Sequence, residues 1–325
     1  MEAPAANSLW YIAKGVVELK PVTLTPARSG EVVVRALYSG LSRGTERLVL
    51  KGAVPRSEWE RMRCPRQEGV FPFPVKYGYA LVGEIEEGPA RRLGEIVFLL
   101  HPHQERAVVP GIDAHSLPAG LPPRRAVLAA NIETALTVLW DSGISAGDQV
   151  LVVGGGVLGL LVAALATRVP GTEVTLTDIE PSRAEIAANL GCRFSSPEGA
   201  PSENDVVIHA SASEAGLRLA LDKAGQESTV VEASWYGERN ISLPLGEVFH
   251  SRRLRLVSSQ VGSIPSAQAR RWTTARRLGK ALALLDDDAF DCLITGEIPF
   301  SLAPGRVPEA LAEGGASLMT VLRYS

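Results

Sequence analysis

Cysteine is scarce in this 325-residue chain, which carries only Cys64, Cys192 and Cys292. They stand far apart, are odd in number and include no Cys-x-x-Cys pair. That excludes a disulfide framework and a structural zinc knuckle. An excess of one charge is also lacking: 33 Lys and Arg against 36 Asp and Glu leave a net charge of −3. The basic residues are scattered rather than massed, so no nucleic-acid partner is expected. Over residues 1–20 there is no basic flank followed by an apolar core, so no signal peptide is expected and a cytoplasmic location follows. Residues 149–167 carry no charge, and their length alone would admit a membrane span. But Gly154, Gly155 and Gly156 interrupt the run straight after β-branched residues. A strand, a tight turn and a buried helix account for it better, and no membrane is expected.

What remains is ordinary for a globular protein: 46% hydrophobic and 21% charged residues. At roughly 100–200 residues per domain, two domains are expected. The first 120 residues read as β-rich, with short apolar runs at 31–37, 75–85, 95–100 and 105–109 separated by Gly, Pro and Ser. Between Lys51 and Pro74 lies a charged, Pro-bearing insertion, read as a short helix, a lid loop or a surface loop. From Ala126 the pattern changes. Helical periodicity over 126–142 leads to strands at 149–153, 173–178, 205–209, 228–233 and 254–260. Helices at 157–168, 183–190 and 214–223 lie between them. Such alternation predicts an α/β fold with a parallel sheet and right-handed crossovers. A helix at 267–285 and a short mixed tail complete the chain.

The strongest motif is Gly154-Gly155-Gly156-Val157-Leu158-Gly159, a G-x-G-x-x-G that follows a strand and opens a helix. Gly154 permits the tight turn, Gly156 lets backbone N–H groups approach a pyrophosphate, and Gly159 lets helix and sheet pack closely. Val157 and Leu158 lie at the positive helix end, where the phosphates would sit. Asp178 ends the second strand, where a carboxylate would bond the adenosine ribose and repel a 2′-phosphate. The expected cofactor is therefore NAD(H) rather than NADP(H). Arg183 is read either as lining the adenine side or as a solvated helix-start residue. Ala210, Ser211, Ser234 and Trp235, after later strands, are placed to meet the nicotinamide half. His209 reads equally as a site residue or as a strand-end histidine bonded to a nearby loop. Thr134 reads as a helix cap or a ribose contact. His250, Arg252 and Arg253 read as loop or interface residues.

A β-rich N-terminal part, a Rossmann unit and a return segment together resemble the medium-chain dehydrogenase/reductase family. The resemblance covers essentially the whole chain. It implies a doubly wound Rossmann sheet inserted into a GroES-like β-rich catalytic domain. The expected spans are catalytic domain 1–125, NAD-binding domain 126–265, and a segment 266–325 returning to the catalytic domain. It also implies a homodimer through the Rossmann sheet edge. In zinc-dependent members Gly-x-Cys and Gly-His-Glu motifs supply metal ligands; here they read Gly40-Leu41-Ser42 and Gly78-Tyr79-Ala80, and the third ligand position reads Ala129-Ala130-Asn131. His101-Pro102-His103 offers two histidines without a third ligand in view, so no zinc is expected. The run Gly44-Thr45-Glu46-Arg47-Leu48, with Gly78-Tyr79, resembles a metal-lacking branch that includes bacteriochlorophyllide a dehydrogenase; residues 59–73 depart from that pattern.

Without a metal, a hydrogen-bond donor must hold the charge that builds on a carbonyl oxygen as hydride arrives. The resemblance points Ser42 and Tyr79 at the substrate and matches Thr45 to a relay hydroxyl. Tyr79 is the expected donor, with Thr45 as relay and Lys76 or His103 in support, Lys76 by lowering the tyrosine pKa. Each has a plainer reading: Tyr79 fills the volume a metal would take, Lys76 is a surface charge, and Glu46 and Arg47 pair with each other or with the Rossmann domain. Three functions stand open: NAD(H)-dependent interconversion of a secondary alcohol and a carbonyl on a small molecule, reduction of a quinone or enoyl C=C bond, and a non-catalytic dinucleotide sensor or scaffold.

Overall fold

A computed structural model describes residues 6–314 and 317–325. It divides into two compact units, Met1–Ala130 with Leu282–Ser325, and Asn131–Ala281. The second unit holds the expected parallel sheet. Its strands are β1 (Gln149–Val153), β2 (Glu173–Thr177), β3 (Arg193–Ser195), β4 (Asn204–His209), β5 (Ala224–Glu232) and β6 (Arg255–Ser258), in spatial order β3-β2-β1-β4-β5-β6. Each neighbouring pair is parallel. This is the strand order of the doubly wound dinucleotide-binding fold. In β1 every residue after Gln149 is buried, as a strand covered on both faces requires.

Helices α1 (Val157–Ala166), α2 (Arg183–Asn189) and α3 (Glu214–Lys223) follow β1, β2 and β4. Helix α1 is buried from Gly159 to Ala166, which accounts for the uncharged run. Among the described residues no helix is long and apolar enough to cross a membrane. Leu151, Val207, Leu217, Leu221 and Val230 form one core cluster, each contributing about 1.5–3 kcal/mol by burial.

The first unit contains two sheets among its described residues. In the larger, Glu31–Leu41 pairs antiparallel with Leu81–Glu87, Arg106–Pro110 and Met319–Arg323. The tail thus supplies two strands, Ile294–Pro299 and Met319–Arg323, parallel to each other. In the smaller, Val16–Val22, Ala6–Ala13, Val75–Lys76 and Glu68–Gly69 lie in that order.

Several expectations need correcting. The run 75–85 is two strands, broken at 77–80, where Gly78 has φ +122°. The insertion 51–74 holds a single 3-10 turn, Arg56–Glu58, and the short strand Glu68–Gly69 rather than a helix proper. The helix expected over 267–285 begins at Thr274, where the Thr273 hydroxyl takes the Arg276 amide at 3.1 Å. Residues 266–281 fall in the second unit. There the buried Arg277 pairs with Glu133 at 2.9 Å and donates to Thr137 Oγ1 and the Val261 and Ser263 carbonyls. The helix Ala129–Ser142 starts before Glu133, so Thr134 lies inside it and does not cap it.

Candidate active site and dinucleotide site

In the first unit, the strand Glu31–Leu41 ends at Ser42, where the helix Arg43–Lys51 begins. The helix start is tied by Glu46, whose Oε1 accepts the Ser42 amide at 2.7 Å. Glu46 is fully buried. Its Oε2 accepts from the Tyr11 hydroxyl at 2.6 Å and meets His103 Nε2 at 2.9 Å. His103 Nδ1 reaches Ser39 Oγ at 2.7 Å, and Ser39 reaches the Tyr324 hydroxyl at 2.8 Å. A buried carboxylate is tolerated when its oxygens are satisfied in this way. Glu46 and Arg47 therefore do not pair with each other: Arg47 donates to the carbonyls of Leu311 and Ala312.

The break at 77–80 presents Tyr79 beside this network. Gly78 is required there, because a Cβ would come within 2.7 Å of the His103 ring. The half-buried Tyr79 side chain lies beside Ser42 and Thr45, whose hydroxyls act on its phenol. Burial pushes the phenol up to about 12; the Ser42 and Thr45 hydroxyls pull it down and the Glu46 charge adds to the rise. The net direction is opposite to that expected from Lys76. The Lys76 ammonium is buried and held instead by Glu68 and by Gln104 Oε1 at 2.8 Å. Three of the expected residues, Tyr79, Ser42 and Thr45, thus meet; His103 adjoins them through Glu46, and Lys76 is engaged elsewhere. Glu46 was not singled out as a site residue, because burial of a charge leaves no mark in sequence.

The donors present do not fit a zinc ion. Among the described residues no three His, Cys, Asp or Glu side chains group to hold a metal. The His101 ring turns to the Pro102 carbonyl at 2.8 Å, and burial lowers its pKa to about 4. Cys64, close to Gly78, is a buried thiol pushed up to about 12 by desolvation.

In the second unit the glycine turn has the shape the motif requires. Gly154 has φ +113°, and a Cβ on it would come within 2.7 Å of the Ser211 amide. A Cβ on Gly159 would overlap the Gly154 carbonyl oxygen, whereas a Cβ on Gly156 would meet nothing. That exposed spot at the start of α1, beside the half-buried Val157 and Leu158, leaves backbone free to face a phosphate. Asp178 Oδ2 accepts the Gly155 amide at 2.5 Å and Oδ1 the Glu180 amide at 2.8 Å, so the carboxylate is oriented in advance. Arg183 is buried rather than solvated, its stem against Gly155. Ser234 Oγ takes the Ala212 amide at 3.0 Å and so sits beside Ala210 and Ser211, while Trp235 is half-buried in the next loop. His209 is buried and bonded within its own strand-end cluster. These residues fit a dinucleotide.

This fold is that of the medium-chain alcohol dehydrogenases, a GroES-like unit with an inserted Rossmann unit. A zinc-binding dehydrogenase of Sinorhizobium meliloti bound to NADP superposes with TM-score 0.78 at 18% identity, covering 99% of this chain and 100% of the other. An alcohol dehydrogenase of Escherichia coli CFT073 with NADH gives TM-score 0.78 at 16% identity, covering 99% and 100%. In sequence, the D-guloside 3-dehydrogenase of Escherichia coli K12 is 24% identical over 311 residues, 85% of this chain and 87% of that one. No family profile matches the chain. These relatives and neighbours are dehydrogenases, and the chain has their fold.

Proposed function

We propose that this protein is a metal-independent, NAD(H)-dependent oxidoreductase that interconverts a secondary alcohol and a carbonyl on a small organic molecule. It would belong to the zinc-lacking branch its motifs resemble. The observation that carries this reading is the Tyr79 phenol, kept neutral beside the Ser42 and Thr45 hydroxyls and the buried Glu46 carboxylate. A neutral phenol can donate to a carbonyl oxygen where negative charge develops, the part a metal plays in zinc enzymes. Ser42 and Thr45 orient the phenol and carry its proton. Glu46 and His103 hold the helix start on which both hydroxyls stand. The dinucleotide, when bound, accepts or supplies the hydride. Gly154, Gly156, Val157, Leu158 and Gly159 would hold its phosphates, Asp178 its ribose and Arg183 the adenine side. Ala210, Ser211, Ser234 and Trp235 would face its other half. The fixed Asp178 carboxylate disfavours a 2′-phosphate, which supports NAD(H). The guloside relative acts on a sugar hydroxyl, which supports an alcohol substrate.

Tyr79→Phe removes the donor while preserving the ring. Carbonyl reduction should fall about 10²–10³-fold in kcat with NADH affinity unchanged. Unchanged turnover would remove Tyr79 from the mechanism. One tightly held zinc per chain, found by elemental analysis, would overturn the metal-independent reading. We further propose a homodimer through the exposed edge strand β6, checked by light scattering. Val257→Lys on that edge should yield monomer.

A further inference from the structure

At the carboxyl ends of β4 and β5 lies a chain of polar groups, of which His209, Glu232 and Tyr236 have no role assigned above. His209 is fully buried, with Nδ1 2.7 Å from Glu232 Oε2 and Nε2 2.6 Å from Ser211 Oγ. Glu232 Oε2 also accepts from the Tyr236 hydroxyl at 2.8 Å, and its Oε1 from the Ser234 amide at 2.7 Å. The Tyr236 ring stacks on His209 at 6.3 Å. Burial alone would raise the Glu232 pKa, but bonds from His209 and Ser234 outweigh it and hold the carboxyl below its ordinary value. A carboxylate at Nδ1 keeps the proton there and leaves the Nε2 lone pair for the Ser211 hydroxyl.

Serine, histidine and a carboxylate in this order can make a nucleophile. Here the neighbouring amides that would stabilise an oxyanion are taken. Ala212 N–H donates to Ser234 Oγ at 3.0 Å and Gly216 N–H to Ser213 Oγ at 3.0 Å. The Ser211 hydroxyl is also wedged against Gly216, where a Cβ would overlap it, and bonded to Ser213 Oγ at 2.8 Å. It is an anchor for its loop. Ala212, in that loop, is held at φ +52°, a conformation a non-glycine residue keeps only when its surroundings impose it. Ser234 Oγ holds its amide, and Arg239 Nη2 its carbonyl at 2.7 Å.

We propose that Glu232, acting through His209 and Ser211 and through Ser234, is a positioning residue. It sets the backbone of residues 210–212 as the contact surface for the half of the dinucleotide that lies away from Asp178. The inference rests on the dinucleotide reading above. Asp178 follows β2, on one side of β1, and the loop 210–212 follows β4, on the other. With the phosphates over the turn after β1, the adenosine lies toward β2 and the remaining half must cross toward β4 and β5. The contact of Ser211 with Gly154 joins the loop directly to that turn.

The test compares NADH with ADP, which lacks the nicotinamide half, by fluorescence titration and competition. Glu232→Gln keeps the shape but replaces one accepting oxygen with a donor. It should weaken NADH about five- to tenfold and leave ADP within about twofold. Ser211→Ala, at an exposed residue, should give the same split if Glu232→Gln folds poorly. Equal weakening of both ligands would mean a merely structural role, and no weakening of either would mean no role; each overturns the proposal. Wild-type protein that binds neither NADH nor NADPH would overturn the dinucleotide reading, and this inference with it.

Discussion

The Tyr79 phenol has a consequence in pH. Burial and the Glu46 charge raise its pKa to about 12, so the donor stays protonated throughout the ordinary range. Carbonyl reduction should therefore show no titration of this residue between about pH 6 and 9. A rate that falls with an apparent pKa below about 9, and does so only while Tyr79 is present, would contradict the assignment. The motifs made Tyr79, Ser42 and Thr45 visible, because the resemblance read from the sequence puts these positions at the substrate. Glu46 and Glu232 were not visible as organising groups. Their importance lies in partners 35 and 23 residues away, Tyr11 and His209, brought together only by folding.

Among the elements, the turn between β1 and α1 separates fold from function. Gly159→Ala drives a methyl into the Gly154 carbonyl and should cost about 1–3 kcal/mol, read as a lowered Tm. Gly156→Ala meets no atom and has an ordinary φ of −74°, so Tm should hold while NADH affinity falls. If both variants change Tm alike, the open face at Gly156 is not a ligand surface. The strand–helix alternation from Gln149 onward was legible because parallel strands and buried helices leave long apolar runs. The pairing of Ala6–Ala13 with Val16–Val22, the edge strand β3 and the two tail strands were not. They are short, half-exposed or paired across the length of the chain.

On the scale of the molecule, acid should lower stability over successive pH windows set by buried groups. His101 is neutral when folded, with its pKa lowered by burial to about 4, so the unfolded chain binds the extra proton first. Stability is complete above the ordinary histidine value and is lost as pH falls from about 6.5 to about 4, by about 3 kcal/mol. Glu232, lowered when folded, contributes stability present above its unfolded value and lost as pH falls through its lower folded one. Asp291, paired with Arg125 at 2.7 Å, acts in the same direction, but its side chain is 50% exposed and solvent screens much of the effect. Melting temperatures from pH 7 to about pH 4 should flatten in His101→Phe; an unchanged slope would place the acid sensitivity elsewhere.

Residue order along the chain was enough to specify the Rossmann half, the glycine turn and its partner Asp178, since these depend on local periodicity and on backbone room that only glycine leaves. It also set which side chains stand in the Gly40-Leu41-Ser42 and Gly78-Tyr79-Ala80 motifs. Folding alone decided that Lys76 is spent on Glu68 and Gln104, that Glu46 lies buried beneath Tyr79, and that residues 266–281 pack with the Rossmann unit around Arg277. Each of those outcomes turns on whether a charged group is desolvated and by whom it is met. That is a property of neighbours far apart in the chain, which no window of sequence contains.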